Sequence, residues 1–321
     1  MKISIAMATY NGSRYLPEQL DSFLRQTRQP DELVVCDDCS RDGTLAILTD
    51  FQKRAPFPVF ISRNVKNLGF IKNFERALTL CTGDIIFLSD QDDVWLENKL
   101  ETIEKTFLAH PEKMIVTNDQ RIASQDLQSS TGTTLENIRA LGLEKSYMKA
   151  GCCTALRKSW LEVVLPIPVE IGTHDAWINR LGDFCQLRLI VEQPLQIYRR
   201  HAENTSHSLT SSAGRLSRLS KLTHYGIRDA SGGWKHQIIA TNLYIDRLRK
   251  RARQLKALGA GEFVEQTIAA LQGKLPALEK RLEIASRPRW RRPPELLRFW
   301  LSGGYRNFAG WKSALKDMVR P

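Results

Sequence analysis

The chain has 321 residues, of which 42% are hydrophobic and 26% are charged, and its formal net charge is +12. These fractions lie near the averages for soluble globular proteins and exclude a disordered or fibrous chain. No apolar run approaches the roughly 18 residues that a membrane-spanning helix needs, and the segment after Met1 has a strand pattern instead of a signal peptide. We therefore expect a cytoplasmic protein with one large α/β domain and an appended region.

Positive charge is concentrated in the C-terminal part of the chain. Residues 199–321 contain 25 Lys or Arg and 9 Asp or Glu, whereas residues 1–198 contain 22 and 26. Such an excess favours an acidic partner, for which anionic lipid headgroups, a pyrophosphate-bearing acceptor and nucleic acid are the candidates. We predict a domain over residues 1–210 and a helical, basic region over residues 211–321.

Strand-like and helix-like segments alternate over the first 120 residues, which is typical of a mostly parallel central sheet flanked by helices. Strands are predicted over residues 2–8, 32–37, 58–62, 84–89 and 114–118. Several of them end in polar residues. Since the carboxyl ends of parallel strands meet at the edge where α/β sheets bind ligands, these polar loops predict one shared site.

The pattern changes after residue 120. Residues 121–150 are polar and predict a loop-rich insertion, followed by helices over 160–164 and 176–181 and a strand over 187–191. Two long amphipathic helices are predicted over 234–285, with a break near Gly259.

The segment 287–301 combines arginines with Leu, Phe and Trp. That combination suits a membrane interface, and packing of the aromatic side chains against the large domain explains it equally well.

An acidic cluster, Asp90-Gln91-Asp92-Asp93, directly follows the strand predicted over 84–89. Three carboxylates in four residues repel one another unless a cation or hydrogen-bond donors offset their charge. Oxygen ligands of this kind suit Mg²⁺ or Mn²⁺, and a metal there could bridge two phosphates. The alternative is a plain helix N-terminus at which Asp92 or Asp93 is the capping residue.

The ordered set of segments 4–11, 33–44, 67–69 and 90–95 resembles glycosyltransferase family 2. The resemblance covers roughly residues 3–205 and implies the glycosyltransferase A fold and an inverting transfer reaction. The Asp90–Trp95 and His174-Asp175 segments are similar to those of rhamnosyltransferase-like members that build bacterial cell-surface polysaccharides, such as O-antigen.

The resemblance also implies roles for residues that follow the predicted strands in the first part of the chain. Thr9, Tyr10 and Asn11 correspond to a nucleotide-contacting loop, and Asp38 corresponds to a carboxylate that accepts a hydrogen bond from the pyrimidine base. Asp90 and Asp92 match the family's paired aspartates: Asp90 would contact the nucleotide and the metal, and Asp92 would bind the metal directly.

The second half of the domain supplies the remaining predicted residues. Asp175 matches the general base that removes the acceptor hydroxyl proton. His201 is predicted to bind the metal, and Arg200, His174 and Trp177 to contact the diphosphate or acceptor. Alternatively, His174 packs beside the start of a helix. Arg200 and His201 could likewise be ordinary surface residues.

Taken together, the resemblance implies transfer of a sugar, with rhamnose as one candidate, from a dTDP- or UDP-sugar to a hydroxyl of a glycan or polyprenyl-pyrophosphate-linked acceptor. We expect it to act peripherally at the inner face of the cytoplasmic membrane, without nucleic acid. A sugar-phosphate nucleotidyltransferase is a second hypothesis, although residues 6–11 lack the glycine-rich loop of those enzymes. A non-catalytic basic protein that binds membranes or nucleic acid is a third.

Overall fold

The computed structural model describes residues 1–202, 204, 209–212, 231–306, 308 and 310–319. The chain divides into two compact units, residues 1–218 and 219–321. This division falls outside the described residues, close to the boundary expected after residue 210, and the predicted domain limits stay a prediction.

The first unit is built on a sheet in which nine strands are described. They are β1 (Ile3–Thr9), β2 (Glu32–Asp37), β3 (Val59–Arg63), β4 (Ile85–Ser89), β5 (Val94–Trp95), β6 (Ile115–Ala123), β7 (Ser130–Thr133), β8 (Thr154–Arg157) and β9 (Arg188–Arg199). Their order is β3-β2-β1-β4-β8-β6-β9-β5, and β7 pairs with β6. Strands β1 to β4 are parallel, whereas β8 is antiparallel to both β4 and β6.

Helices flank this sheet, as predicted for an α/β fold. They are α1 (Leu16–Leu24), α2 (Thr44–Arg54), α3 (Phe70–Leu80), α4 (Lys99–Ala109), α5 (Thr134–Ala140), α6 (Leu161–Val164) and α7 (His174–Phe184). Local sequence explains several helix starts. Thr133 and Glu136 form a capping box at α5, and the Thr173 side chain caps α7.

The main core lies between the sheet and helices α1, α2 and α4. Strands β1, β2 and β4 are buried along nearly their whole length, which explains their continuous apolar runs. In the sheet register Thr9 lies opposite Asp37, and Met7 lies opposite Ser89. The polar loops after β1, β2 and β4 therefore leave the sheet at the same edge.

The prediction of a loop-rich segment over residues 121–150 is wrong over much of its length. Strand β6 continues to Ala123, and β7 and α5 follow it. Strand β9 also runs to Arg199, eight residues beyond the predicted end, because it pairs along β6 and then with the short β5. This longer strand carries its final arginine to the end of β6.

The described part of the second unit is helical. It contains α8 (Ser231–Lys250), α9 (Ala252–Ala257), α10 (Gly261–Ala285), α11 (Arg292–Leu301) and α12 (Trp311–Val319). The predicted break is confirmed at Gly259, where φ is 78°. In its interior Arg281 donates two hydrogen bonds to Asp317, of 2.7 and 2.9 Å. Among the described residues, no helix has the length and apolar character needed to cross a bilayer.

Candidate active site

The loop after β1 is held by the acidic loop after β4. Gln91 Oε1 accepts a 2.8 Å hydrogen bond from the Tyr10 N–H, and Gln91 Nε2 donates to the Tyr10 carbonyl at 3.0 Å. Asn11 has φ of 47°, and its N–H donates to Ser40 Oγ at 2.9 Å. Thr9 is buried and donates to Asp37. The backbone is thus fixed while the Tyr10 ring stays about half exposed and available to a ligand.

Asp38 is buried at the end of β2, and the protein itself supplies hydrogen bonds to its carboxylate. Oδ1 accepts from Asn64 Nδ2 at 2.6 Å and from the Leu68 N–H at 2.8 Å, while Oδ2 accepts from the Gly69 N–H at 2.9 Å. These bonds tie the 67–69 segment to β2. The predicted contact with a nucleotide base stays a prediction, and the geometry gives Asp38 a clear role in shaping this loop.

The carboxylates after β4 form the most strongly charged part of the site. Among the described residues, oxygen atoms of Asp90 and Asp93 and the sulfur of Cys152 lie within 4.8 Å of one another. Burial, and then the carboxylates of Asp92, Asp93 and Asp175, raise the pKa of Asp90 well above its ordinary value. Burial and Asp92 likewise raise the pKa of Asp93 to about 7. The cluster is therefore short of positive charge.

Asp92 points to the end of β9, where His201 lies. Asp92 Oδ2 and His201 Nε2 are 2.8 Å apart, and the His201 side chain is almost fully buried. The ring of Tyr15 packs on the imidazole with centroids 4.6 Å apart, and the Asn204 side chain accepts from the His201 N–H at 2.7 Å. The structure thus brings together Asp92 and His201, two residues predicted to bind a metal.

Arg199, which is not among the predicted site residues, fixes this end of β9. Its Nε donates to the Asp92 carbonyl at 3.0 Å, its Nη1 donates to the Gln125 carbonyl at 2.7 Å, and it pairs with Glu18. The neighbouring Arg200 donates its N–H to the Ala123 carbonyl at 2.9 Å, and its side chain is half-buried. Of the two arginines, Arg199 positions the acidic loop, and contact of Arg200 with a diphosphate stays a prediction.

Asp175 and His174 begin helix α7, near the acidic cluster. Asp175 Oδ1 accepts a 2.6 Å hydrogen bond from the Ala176 N–H, and its carboxylate is one of the charges that raise the pKa of Asp90. His174 is buried and stacks on Phe74, with centroids 4.1 Å apart, and neither ring nitrogen has a hydrogen-bond partner. Burial, opposed by Asp175, lowers the pKa of His174, which favours a neutral imidazole.

Trp177 is fully buried, and its indole N–H donates to the Val164 carbonyl at 2.8 Å. This placement does not favour the predicted contact with a diphosphate or acceptor, because the ring has no exposed surface. The side chain instead anchors α7 on α6. Contact through Trp177 stays a prediction.

Other residues of the site were also missed. Gln196 donates to Asp93 at 3.0 Å, and Lys99 Nζ donates to the Cys152 carbonyl at 2.8 Å beneath the cluster. Burial lowers the pKa of Lys99 to about 8. Asp93 and Gln91 could have been predicted, because they belong to the acidic run 90–93. Gln196 lies on a strand and Lys99 on a helix, and no local motif marks either residue.

Comparison with known proteins matches this geometry to one family. Residues 4–165 match the family model described as Glycosyl transferase family 2. An uncharacterized glycosyltransferase of Nostoc sp. is 31% identical over 232 residues, which cover 66% of this chain and 68% of that protein. A dTDP-rhamnosyl transferase of Shigella flexneri is 38% identical over 99 residues, which cover 30% of this chain and 34% of that protein.

A solved structure shares the fold at low sequence identity. Residues 1–349 of S. aureus TarS, in complex with UDP, superpose with a TM-score of 0.57 at 15% identity, over 96% of this chain and 89% of that one. This likeness concerns the fold alone. It confirms the α/β, glycosyltransferase A architecture expected from the sequence.

Proposed function

The chain belongs to glycosyl transferase family 2 and is a glycosyltransferase, and we propose that it is an inverting, metal-dependent enzyme that uses a nucleoside-diphosphate sugar. The observation that carries this proposal is that Asp90, Asp92 and Asp93 lie together, with His201 bonded to Asp92 and Asp175 close enough to act on Asp90. Such a carboxylate cluster at a sheet edge can hold a diphosphate through a cation while another carboxylate acts on the acceptor.

The donor's nucleotide is proposed to lie over the loops after β1 and β2. Tyr10 offers an exposed ring beside a backbone that Gln91 fixes, and Thr9, Asn11 and Asp38 line the same edge. A dTDP- or UDP-sugar fits the proposal, and the Shigella flexneri relative supports dTDP-rhamnose among the candidates.

The residues present fit a divalent cation. Carboxylate oxygens and an imidazole nitrogen are suitable ligands for Mg²⁺ or Mn²⁺, and a cation would stabilise the closely spaced carboxylates, since burial and then their mutual repulsion raise the pKa of Asp90 and Asp93. Asp92, Asp90 and His201 would hold the ion. When bound, the metal would stabilise the negative charge of the departing diphosphate.

Asp175 is proposed as the general base. Its carboxylate removes the acceptor hydroxyl proton as that oxygen attacks the anomeric carbon opposite the leaving diphosphate, and this attack inverts the configuration. The position at the start of α7 is fixed by the bond from the Ala176 N–H and by the cap from Thr173. His174, neutral and without a partner, is proposed to lie against the acceptor.

The acceptor is proposed to be a glycan or a polyprenyl-pyrophosphate-linked sugar in bacterial surface-polysaccharide synthesis, at the inner face of the cytoplasmic membrane. An abequosyltransferase of Salmonella typhimurium, 31% identical over 106 residues, supports the polysaccharide class. The positive charge of residues 199–321 supports an anionic partner.

The proposal is tested by comparing nucleotide binding with turnover in one variant. A thermal-shift screen of nucleoside diphosphates with and without Mn²⁺ identifies the base, and donor hydrolysis and transfer are then measured for Asp175→Asn. We expect Asp175→Asn to keep the metal-dependent shift and lose transfer, while the exposed Asp50→Asn control on α2 keeps both. Full transfer by Asp175→Asn would remove the base assignment, and no shift with any nucleotide would remove the proposed donor.

A further inference from the structure

The exposed tryptophans of the described residues are confined to one short segment. Trp290, Trp300 and Trp311 are 73%, 47% and 61% exposed, whereas the other four tryptophans of the chain are buried, at positions 95, 160, 177 and 234. The sequence left open whether the aromatic residues of the tail pack inside the protein or face outward. Their exposure favours an outward role for this segment.

Helix α12 turns an apolar face to solvent. Trp311, Leu315 and Met318 recur at helical spacing on one side and are 61%, 53% and 43% exposed. The opposite side carries Asp317, which is buried and bonded to Arg281 and to the Tyr305 hydroxyl. A helix of a globular protein ordinarily places its apolar stripe against the core. Here Asp317 is on the buried side and the apolar stripe is exposed, so the stripe does not pack on the core of this unit.

Helix α11 repeats this arrangement. Leu297 and Leu301, four residues apart, are 54% and 72% exposed, and Trp300 lies beside them, while Leu296 is buried on the other side. Helices α11 and α12 are in contact. We call the exposed apolar residues of this pair and its leading turn the outward apolar surface; they are Trp290, Leu297, Trp300, Leu301, Trp311, Leu315 and Met318.

The segment that carries this surface is rich in positive charge, and its two acidic residues are paired with arginines. The described residues between 287 and 319 include eight Lys or Arg and two acidic residues. Glu295 pairs with Arg287, and Asp317 pairs with Arg281. Arg291 lies 4.5 Å from the Trp290 ring centre, and Lys312 lies 5.8 Å from that of Trp311. Exposed cations therefore adjoin the exposed indoles.

A bilayer with anionic headgroups matches both properties. Trp and Leu side chains insert at the boundary between headgroups and acyl chains, and Lys and Arg contact the phosphates above them. A second copy of the chain matches less well, because it would bring the same positive charge against this one.

We infer that the outward apolar surface docks the enzyme on an anionic lipid bilayer. The inference rests on the membrane location in the proposed function and deepens it by naming the surface that makes the contact. Binding to lipid needs no sugar transfer, so the two can be tested separately.

The test is sedimentation of the full-length protein with phosphatidylcholine vesicles that contain or lack phosphatidylglycerol. We expect binding to the anionic vesicles that weakens as salt is added, together with a blue shift of tryptophan emission, because the exposed indoles enter an apolar medium. The double change Trp290→Ala/Trp311→Ala should lower the partition coefficient about tenfold. Lys312→Glu/Lys316→Glu should lower it by a similar factor on anionic vesicles.

Matched controls lie in the first unit. Leu108→Ala on α4 removes a side chain that is 63% exposed, and Lys53→Glu reverses an exposed charge on α2; both should bind vesicles like the unchanged protein. Donor hydrolysis without vesicles should be equal in all these proteins, which shows that each is folded and separates lipid docking from catalysis. Unchanged wild-type emission with anionic vesicles, or equal sedimentation of the double tryptophan variant, would overturn the inference. So would self-association that buries these tryptophans without vesicle binding.

Discussion

Two acidic loops leave the same edge of the sheet, and they differ in how their charge is balanced. The buried carboxylate of Asp38, after β2, accepts hydrogen bonds from Asn64, Leu68 and Gly69. For the carboxylates after β4, burial and then their mutual repulsion raise the pKa of Asp90 and Asp93. The first loop is complete by itself, whereas the second lacks positive charge.

This difference predicts a structural role for the carboxylate after β2 and a ligand-binding role for the carboxylates after β4. A buried carboxylate with its donors in place stabilises the fold, and removing it leaves those donors unsatisfied. A crowded carboxylate cluster costs stability and is retained where a ligand offsets the charge. Asp38 variants should therefore lose stability, and Asp92 variants should lose activity.

The largest expected effect is that of Asp92→Asn. Because this change removes a proposed metal ligand and some of the repulsion, transfer should fall by about 100-fold or more while the free energy of unfolding stays the same or rises. Turnover and urea unfolding of one preparation measure both quantities, with Asp50→Asn as the control. A large loss of stability in Asp92→Asn would place this residue with Asp38 and break the comparison.

Asp38→Ala should show the opposite pattern. The change removes three hydrogen bonds and leaves the Leu68 N–H without an acceptor, while the Gly69 N–H and the Asn64 amide keep their bonds to other side chains. We expect the free energy of unfolding to fall by about 1–3 kcal/mol. Urea denaturation monitored by circular dichroism gives the value. If stability is unchanged, Asp38 is not the framework residue described here.

Glu32, at the start of β2, extends the comparison to pH. Burial alone would raise its pKa, but hydrogen bonds from Ser4 and Thr82 and the charge of Lys2 lower the pKa to about 2. The stabilisation is present above the ordinary pKa of about 4.5 and is lost as the pH falls toward 2. Glu32→Gln should cost about 1–2 kcal/mol at neutral pH and flatten the acid side of the unfolding curve. An equally steep acid loss in the variant would assign the effect to other carboxylates.

The smallest effect is expected at Gln91, which joins the acidic loop after β4 to the loop after β1. Gln91→Ala removes both hydrogen bonds to Tyr10 and should raise the KM for the donor several-fold, on the order of 1 kcal/mol, with little change in kcat. Gln272→Ala on α10, an exposed glutamine, is the control. A fall in kcat with unchanged KM would show that Gln91 acts on the acidic cluster instead of on the nucleotide loop.

The sequence predicted the features that depend on local patterns. The buried runs of β1, β2 and β4 and the acidic residues after them could be located because parallel strands are apolar and their loops are polar. The capping box Thr133–Glu136 was also readable and would have identified α5 within the segment predicted to be loop-rich.

What the sequence did not predict depends on contacts between distant residues. Arg199 fixes the Asp92 backbone because β9 runs far enough along β6, and no local signal gives that register. The outward stripe of α12 is similar, because the Arg281–Asp317 pair holds the side with Asp317 inward and leaves Trp311, Leu315 and Met318 exposed. Burial of Trp177 follows in the same way from packing of α7 on α6.

The central claim, a divalent cation held by the acidic loop after β4, is tested most directly by titrating Mn²⁺ with the preferred nucleoside diphosphate and following the free Mn²⁺ signal by electron paramagnetic resonance. We predict one tightly bound Mn²⁺ per chain in the unchanged protein, retained in Asp50→Asn and lost in Asp92→Asn. Equal Mn²⁺ binding by Asp92→Asn, or no binding by the unchanged protein, would contradict the account.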